Sequence, residues 1–233
     1  MNTEEGGILS QISTIYNLSK LIPLRKKFNL SDEAFLRAYG NYRINKITVY
    51  REPIKSFLGF ALNVITVGAW EKAVAKYGYD KLFHLFLTLE LIPPVFQGKT
   101  IIALFEKNET PRLNLLTVPI ANDAEFMSVP KQFQGSLFDF VQTTQAQMGD
   151  DFFRYNAFTN NCQTQIFNAL GANDLLTLPL QNFIKQDTES IAQELPDYSK
   201  SIVQGITDTA RRGRTLLGRG LPTQKIRDKH TIC

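Results

Sequence analysis

The stretch Leu82-Phe-His-Leu-Phe-Leu-Thr-Leu-Glu-Leu91 decides the fold. Leu85, Leu87, Leu89 and Leu91 fall on one side of an extended chain, and His84, Phe86, Thr88 and Glu90 on the other. That period of two marks a strand with one face in a core. Pro93, Pro94 and Gly98 end it. Thr100-Ile-Ile-Ala-Leu-Phe-Glu106 reads as the next strand, Lys107 to Pro111 as a turn, and Leu113 to Val118 as a third strand. Connections this short join antiparallel neighbours, since a parallel crossover needs a dozen residues or more. The expected class is therefore α+β, an antiparallel meander packed against helices.

Helical signals flank the meander. Ile8, Leu9, Ile12, Ile15, Leu18, Leu21 and Ile22 recur near helical spacing before Pro23, and a second helix is expected from Ser31 to Gly40. Residues 1–45 read as a helical lead-in outside the catalytic core, and Lys46-Ile-Thr-Val-Tyr50 as a short strand. Pro53 fits the first position of a helix reaching about Tyr77. Its middle, Phe57 to Trp70, is apolar on nearly all sides but shorter than the ~20 residues of a membrane span. It suits a core, or a surface that lies against a membrane or hydrophobic substrate. After the meander, Ser136 and Asp139 predict a capped helix to about Met148. Leu175 to Leu180, broken by Pro179, precedes a last helix over Gln181–Leu195. The core domain is read as residues 46–195 and the tail as 196–233.

Composition limits the chemistry. With 43% hydrophobic and 21% charged residues the chain is globular in character. Its two cysteines are Cys162 and the terminal Cys233, too few for a disulfide framework or a cysteine zinc site. A free thiol points to an intracellular, reducing compartment, and the acidic, polar start from Met1 is unlike a signal peptide. Thr231-Ile-Cys233 does not form a prenylation box. The net charge of +4 is concentrated late: residues 205–233 carry seven lysines and arginines against Asp208 and Asp228. Such a tail reads as partly disordered, or as a contact for anionic membrane or nucleic acid, without any base-reading motif.

Cys162 lies in Tyr155-Asn-Ala-Phe-Thr-Asn-Asn-Cys-Gln-Thr-Gln-Ile-Phe-Asn-Ala-Leu170. Thr159, Asn160 and Asn161 are all suitable caps, and Ile166, Phe167 and Leu170 follow at helical spacing. The thiol is thus expected in a first helical turn, where unpaired N–H groups and the positive dipole end favour a thiolate. The chain holds only two histidines, and His84 stands at the head of the strongest strand. A hairpin of strands 82–91 and 100–108 with a residue sum near 191 places Lys107 opposite His84 and Glu106 or Asn108 diagonal to it. A one-residue shift places Glu106 directly opposite instead. Glu106 is the leading choice to orient the imidazole, with Asn108 and Glu90 behind it. Gln163, Asn161 and Tyr155 are further polar candidates near the thiol. No metal or organic cofactor is expected for this chemistry.

The motifs Tyr79-Asp-Lys-Leu-Phe-His-Leu-Phe-Leu87, Phe105-Glu-Lys-Asn108 and Tyr155-Asn-Ala-Phe-Thr-Asn-Asn-Cys-Gln163 resemble those of circularly permuted papain-like proteins. These are the NlpC-type hydrolases and the lecithin:retinol acyltransferase-like group, with a histidine strand followed by an Asn-Cys helix start. The likeness spans roughly residues 47–190 and includes uncharacterised members from large DNA viruses. It implies a thiol hydrolase using Cys162, His84 and Glu106 on a peptide, isopeptide or acyl-lipid substrate. It also admits a membrane-acting phospholipase or acyltransferase, or a virion or scaffold protein that keeps the fold without turnover. The chain has no second core histidine, and Gln163 stands where the acyltransferase branch carries an acidic residue.

Overall fold

The computed structural model describes residues 28–53, 72, 75–76, 83–94, 99–107, 110–156, 158–186, 193 and 195. The leucine alternation forms the middle of a five-stranded antiparallel open sheet. Its strands are β1 (Arg43–Pro53), β2 (Phe83–Ile92), β3 (Ile101–Lys107), β4 (Pro111–Leu115) and β5 (Glu125–Ser128). Their order is β4-β3-β2-β1-β5, so four strands run as a meander and β5 closes the far side of β1. Four helices of defined extent are described alongside them: α1 (Leu30–Tyr39), α2 (Leu137–Met148), α3 (Cys162–Ala172) and α4 (Leu178–Ile184). The class is α+β, as the alternation implied.

The leucines of β2 are fully buried and share their face with Ala103 and Phe105 of β3 and Leu113 of β4. Leu137, Phe138, Phe140 and Val141 of α2 and Ile166, Ala169 and Leu170 of α3 pack onto that face. Each such large side chain contributes roughly 1.5–3 kcal/mol by leaving water. Register follows from this matching. Leu87 pairs with Phe105 and Leu89 with Ala103, which sets Glu106 opposite Phe86. Both registers expected for the hairpin are therefore corrected: Lys107 opposite His84 would put the leucines on the wrong face, and Glu106 opposite His84 keeps the face but is displaced by two residues from the observed pairing.

Three other expectations change. β1 is longer than 46–50, because β2 pairs with it from end to end and β5 pairs with Thr48 to Arg51. Asn45 is left unpaired at a bulge between Ile44 and Lys46, and the ladder resumes on its far side with Ile44 opposite Leu91. Pro53, expected to open a helix, is instead the last residue of β1, opposite Phe83. Pro179 sits in the first turn of α4 and does not break it, since a proline's missing N–H has no partner to lose there. The expected helices near 8–28 and 53–77, the tail, and Cys233 lie outside the described residues. No described helix is long and apolar enough to cross a membrane.

Caps fix the helix starts. Asn29, two residues ahead of the expected Ser31, accepts the Asp32 N–H and begins α1. Ser136 and Asp139 form the expected capping box of α2, with Asp139 accepting the Ser136 N–H at 2.9 Å. Such a cap is worth about 1 kcal/mol. Phe35 and Leu36 of α1 join the core, so part of residues 1–45 packs with the sheet. Asp32 is buried and accepts the Leu113 N–H at 3.0 Å, tying α1 to β4.

Candidate active site

α3 begins at Cys162 because Asn161, in extended conformation, folds its side chain back over the first turn. Its Oδ1 accepts the N–H groups of Gln163 at 2.9 Å and Thr164 at 3.2 Å. Cys162 is consequently the first helical residue, with its own N–H unused by the helix and the positive dipole end beside its sulfur. The residue as a whole is half-buried.

His84 is the second residue of β2. Glu106 stands opposite Phe86, two residues along, and therefore diagonal to His84 on the same face. His84 Nε2 and Glu106 Oε2 are 2.9 Å apart, each side chain 13% exposed. The Cys162 thiol lies close enough to the same imidazole for each group to shift the ionisation of the other. With Nε2 held by the carboxylate, Nδ1 is the ring nitrogen left for sulfur. Leu85 lies past the last β2–β3 pair, and its N–H points to Cys162 Sγ at 3.5 Å. A sulfur, a ring and a carboxylate from three elements are thus brought together.

The electrostatics favour an ion pair. Burial alone would depress the His84 pKa, but the hydrogen bonds and charges of Cys162 and Glu106 outweigh it and raise the value to about 9. Burial pushes the Cys162 thiol up, whereas the His84 contact, its charge, and the Leu85 and Gln163 N–H groups bring it below its ordinary value. The pair titrates as a unit, and both shifts favour thiolate beside imidazolium.

Other candidates are placed elsewhere. Glu90 lies six residues along β2 from His84, about 20 Å away at strand rise, and accepts from Asn45 Nδ2 at 2.7 Å. It does not orient the imidazole. Asn108 lies outside the described residues, and Tyr155 is half-buried in the loop before α3. Asn161 serves as the cap. Gln163 has a bridging role: its Oε1 accepts the Gln186 N–H at 2.8 Å, and Gln186 Oε1 accepts the Phe83 N–H at 3.0 Å. This relay ties the start of α3 to the start of β2, where His84 sits.

Neither family models nor curated proteins nor solved structures match this chain. Its site must therefore be read from its own groups. Among the described residues no set of three or more His, Cys, Asp and Glu gathers as a metal site. Sequence reasoning missed Gln186, which carries no local signal, and the Leu85 N–H, which depends on where β3 stops. It also assigned Lys107 to a turn, although the residue ends β3 and is 1% exposed. The signal was present: Lys107 continues the alternation of Ala103 and Phe105 into the core.

Proposed function

We propose that the chain is a cysteine hydrolase acting on an amide bond, peptide or isopeptide. The observation that carries this reading is the Cys162 thiol at a helix N-terminus, held against the start of β2 by the Leu85 N–H, next to His84, which meets Glu106 at 2.9 Å. Burying three ionisable groups together costs desolvation that an apolar cluster would not. Such clusters mark sites that use the charge.

In the proposed cycle the Cys162 thiolate attacks the substrate carbonyl carbon, and the carbonyl π electrons move to oxygen. The Cys162 N–H, at the free end of α3, is suited to receive that oxyanion. The His84 imidazolium gives its proton to the departing amine as the C–N bond breaks, leaving a thioester. Neutral His84 then takes a proton from water, and the hydroxide formed releases the acid and restores the thiolate. Glu106 holds the ring orientation and stabilises the imidazolium in both halves. Within this proposal the order of histidine strand, meander and cysteine helix is assigned to the permuted papain-like arrangement.

Alkylation by iodoacetamide near neutral pH, read by mass spectrometry, tests the reading. Cys162 is expected to react faster than Cys233, and to lose that advantage in His84→Ala. Equal rates for the two cysteines, unchanged in His84→Ala, would overturn it.

A further inference from the structure

A lysine is almost never fully buried unless something holds its charge. Lys107 closes β3 on the core side, and its ammonium donates to the Asp151 carbonyl and to Asn160 Oδ1, each at 2.8 Å. Both acceptors are neutral. Asn160 in turn donates through Nδ2 to the carbonyls of Asp151 at 2.8 Å and Arg154 at 3.2 Å. Its backbone pairs in both directions with Asn156, whose Oδ1 accepts the Phe158 and Thr159 N–H groups. Lys107 is thus plugged into the loop that delivers Asn161 and Cys162 to the head of α3.

The charge count gives this position a purpose. Thiolate, imidazolium and the Glu106 carboxylate together leave one negative charge in excess in a largely dry site. One buried ammonium cancels it. We infer that Lys107 is a positioning residue of this site: its ammonium anchors the loop leading into α3 and balances the charge of the Cys162, His84 and Glu106 set. The inference rests on the catalytic reading of those three residues.

The groups whose charge reaches the ammonium are Asp151, in the turn after α2, and Cys162. The Asp151 carboxylate is solvent-facing and lies 3.9 Å from Arg154, which also approaches Asp150 at 3.7 Å. Asp151 acts on the ammonium most strongly, and Cys162 is the group of the buried site that also reaches it. Burial pulls the Lys107 pKa down to about 8, with Asp151 and Cys162 holding it up, so the group is charged at neutral pH.

The test is the ionisation of Cys162, followed by ultraviolet thiolate absorbance against pH in the parent and in Lys107→Met and Lys107→Arg. Lys107→Met is expected to shift the thiolate midpoint to higher pH, and Lys107→Arg, which keeps the charge, to shift it less. A folded Lys107→Met with the parent's midpoint would overturn the inference. The parent curve alone addresses the catalytic reading, because it shows whether Cys162 ionises below the usual thiol range. The difference between variants addresses Lys107. If Lys107→Met does not fold, the reciprocal measurement decides: NMR titration of the Lys107 ammonium in the parent and in Cys162→Ala. Loss of the thiolate is expected to lower the Lys107 midpoint, and identical midpoints would overturn the proposal.

Discussion

Glu106 faces His84 diagonally across the β2–β3 ladder, Oε2 2.9 Å from Nε2, because the buried leucines of β2 fix the register. A diagonal contact leaves the far ring nitrogen turned away from the carboxylate and available to sulfur. Glu106→Gln keeps the shape and removes the charge. The His84 midpoint, about 9 in the parent, is expected to fall, since one of the two groups raising it is gone. Turnover is expected to drop by roughly 10²–10⁴-fold, the range for impaired acid–base function. NMR titration of the His84 ring checks the first outcome, and an unmoved midpoint would remove Glu106 from the set.

The coupled shifts set a pH window for turnover. Cleavage requires Cys162 ionised and His84 protonated. The acid limb is expected below the ordinary thiol range, because the Cys162 pKa is lowered. The alkaline limb is expected near 9, where His84 loses its proton. The profile of kcat/KM for a fluorogenic peptide amide should therefore be bell-shaped, its alkaline side moving to lower pH in Glu106→Gln. A single rise through the usual thiol range would mean that no ion pair forms.

Much of this site was legible because its determinants are local. Asn161 before Cys162 specifies a helix start through one side chain, and the β2 alternation specifies a face through side-chain parity. Ser136 and Asp139 likewise fix the head of α2 within four residues. What was not legible depends on distant partners. Glu125-Phe-Met-Ser128 becomes a strand only by pairing with β1, and Gln186 reaches Phe83 across more than a hundred positions. The alternation encodes the parity of the register but not the two-residue offset between one even sum and the next. Matching Leu87 and Leu89 to Phe105 and Ala103 requires an even residue sum, and that also puts Lys107 on the core side.

Gly40 marks where α1 meets α2. A methyl group there would sit 2.0 Å from a Phe138 ring carbon and 2.5 Å from the Leu36 carbonyl oxygen. The Gly40 carbonyl also accepts the Phe138 N–H at 2.9 Å, so neither backbone can retreat without losing that bond. Gly40→Ala is expected to destabilise the fold by about 1–3 kcal/mol through overpacking. Urea unfolding measures this, and a stability equal to the parent's would show that the helices slide apart freely.

The Gln163–Gln186–Phe83 relay makes a sharper prediction, because it separates stability from positioning. Gln186→Ala leaves the buried Phe83 N–H without the Oε1 acceptor it has at 3.0 Å, a loss of about 1–3 kcal/mol. It should also loosen the start of β2 against α3, slowing alkylation of Cys162 at neutral pH, since the imidazole and the Leu85 N–H both hang from that strand. Gln186→Glu retains an acceptor of the same reach. It is expected to recover the stability and most of the alkylation rate. If both variants melt earlier but alkylate at the parent's rate, the relay only stabilises the fold. The Cys162–His84 geometry is then held by the sheet and the α3 cap alone.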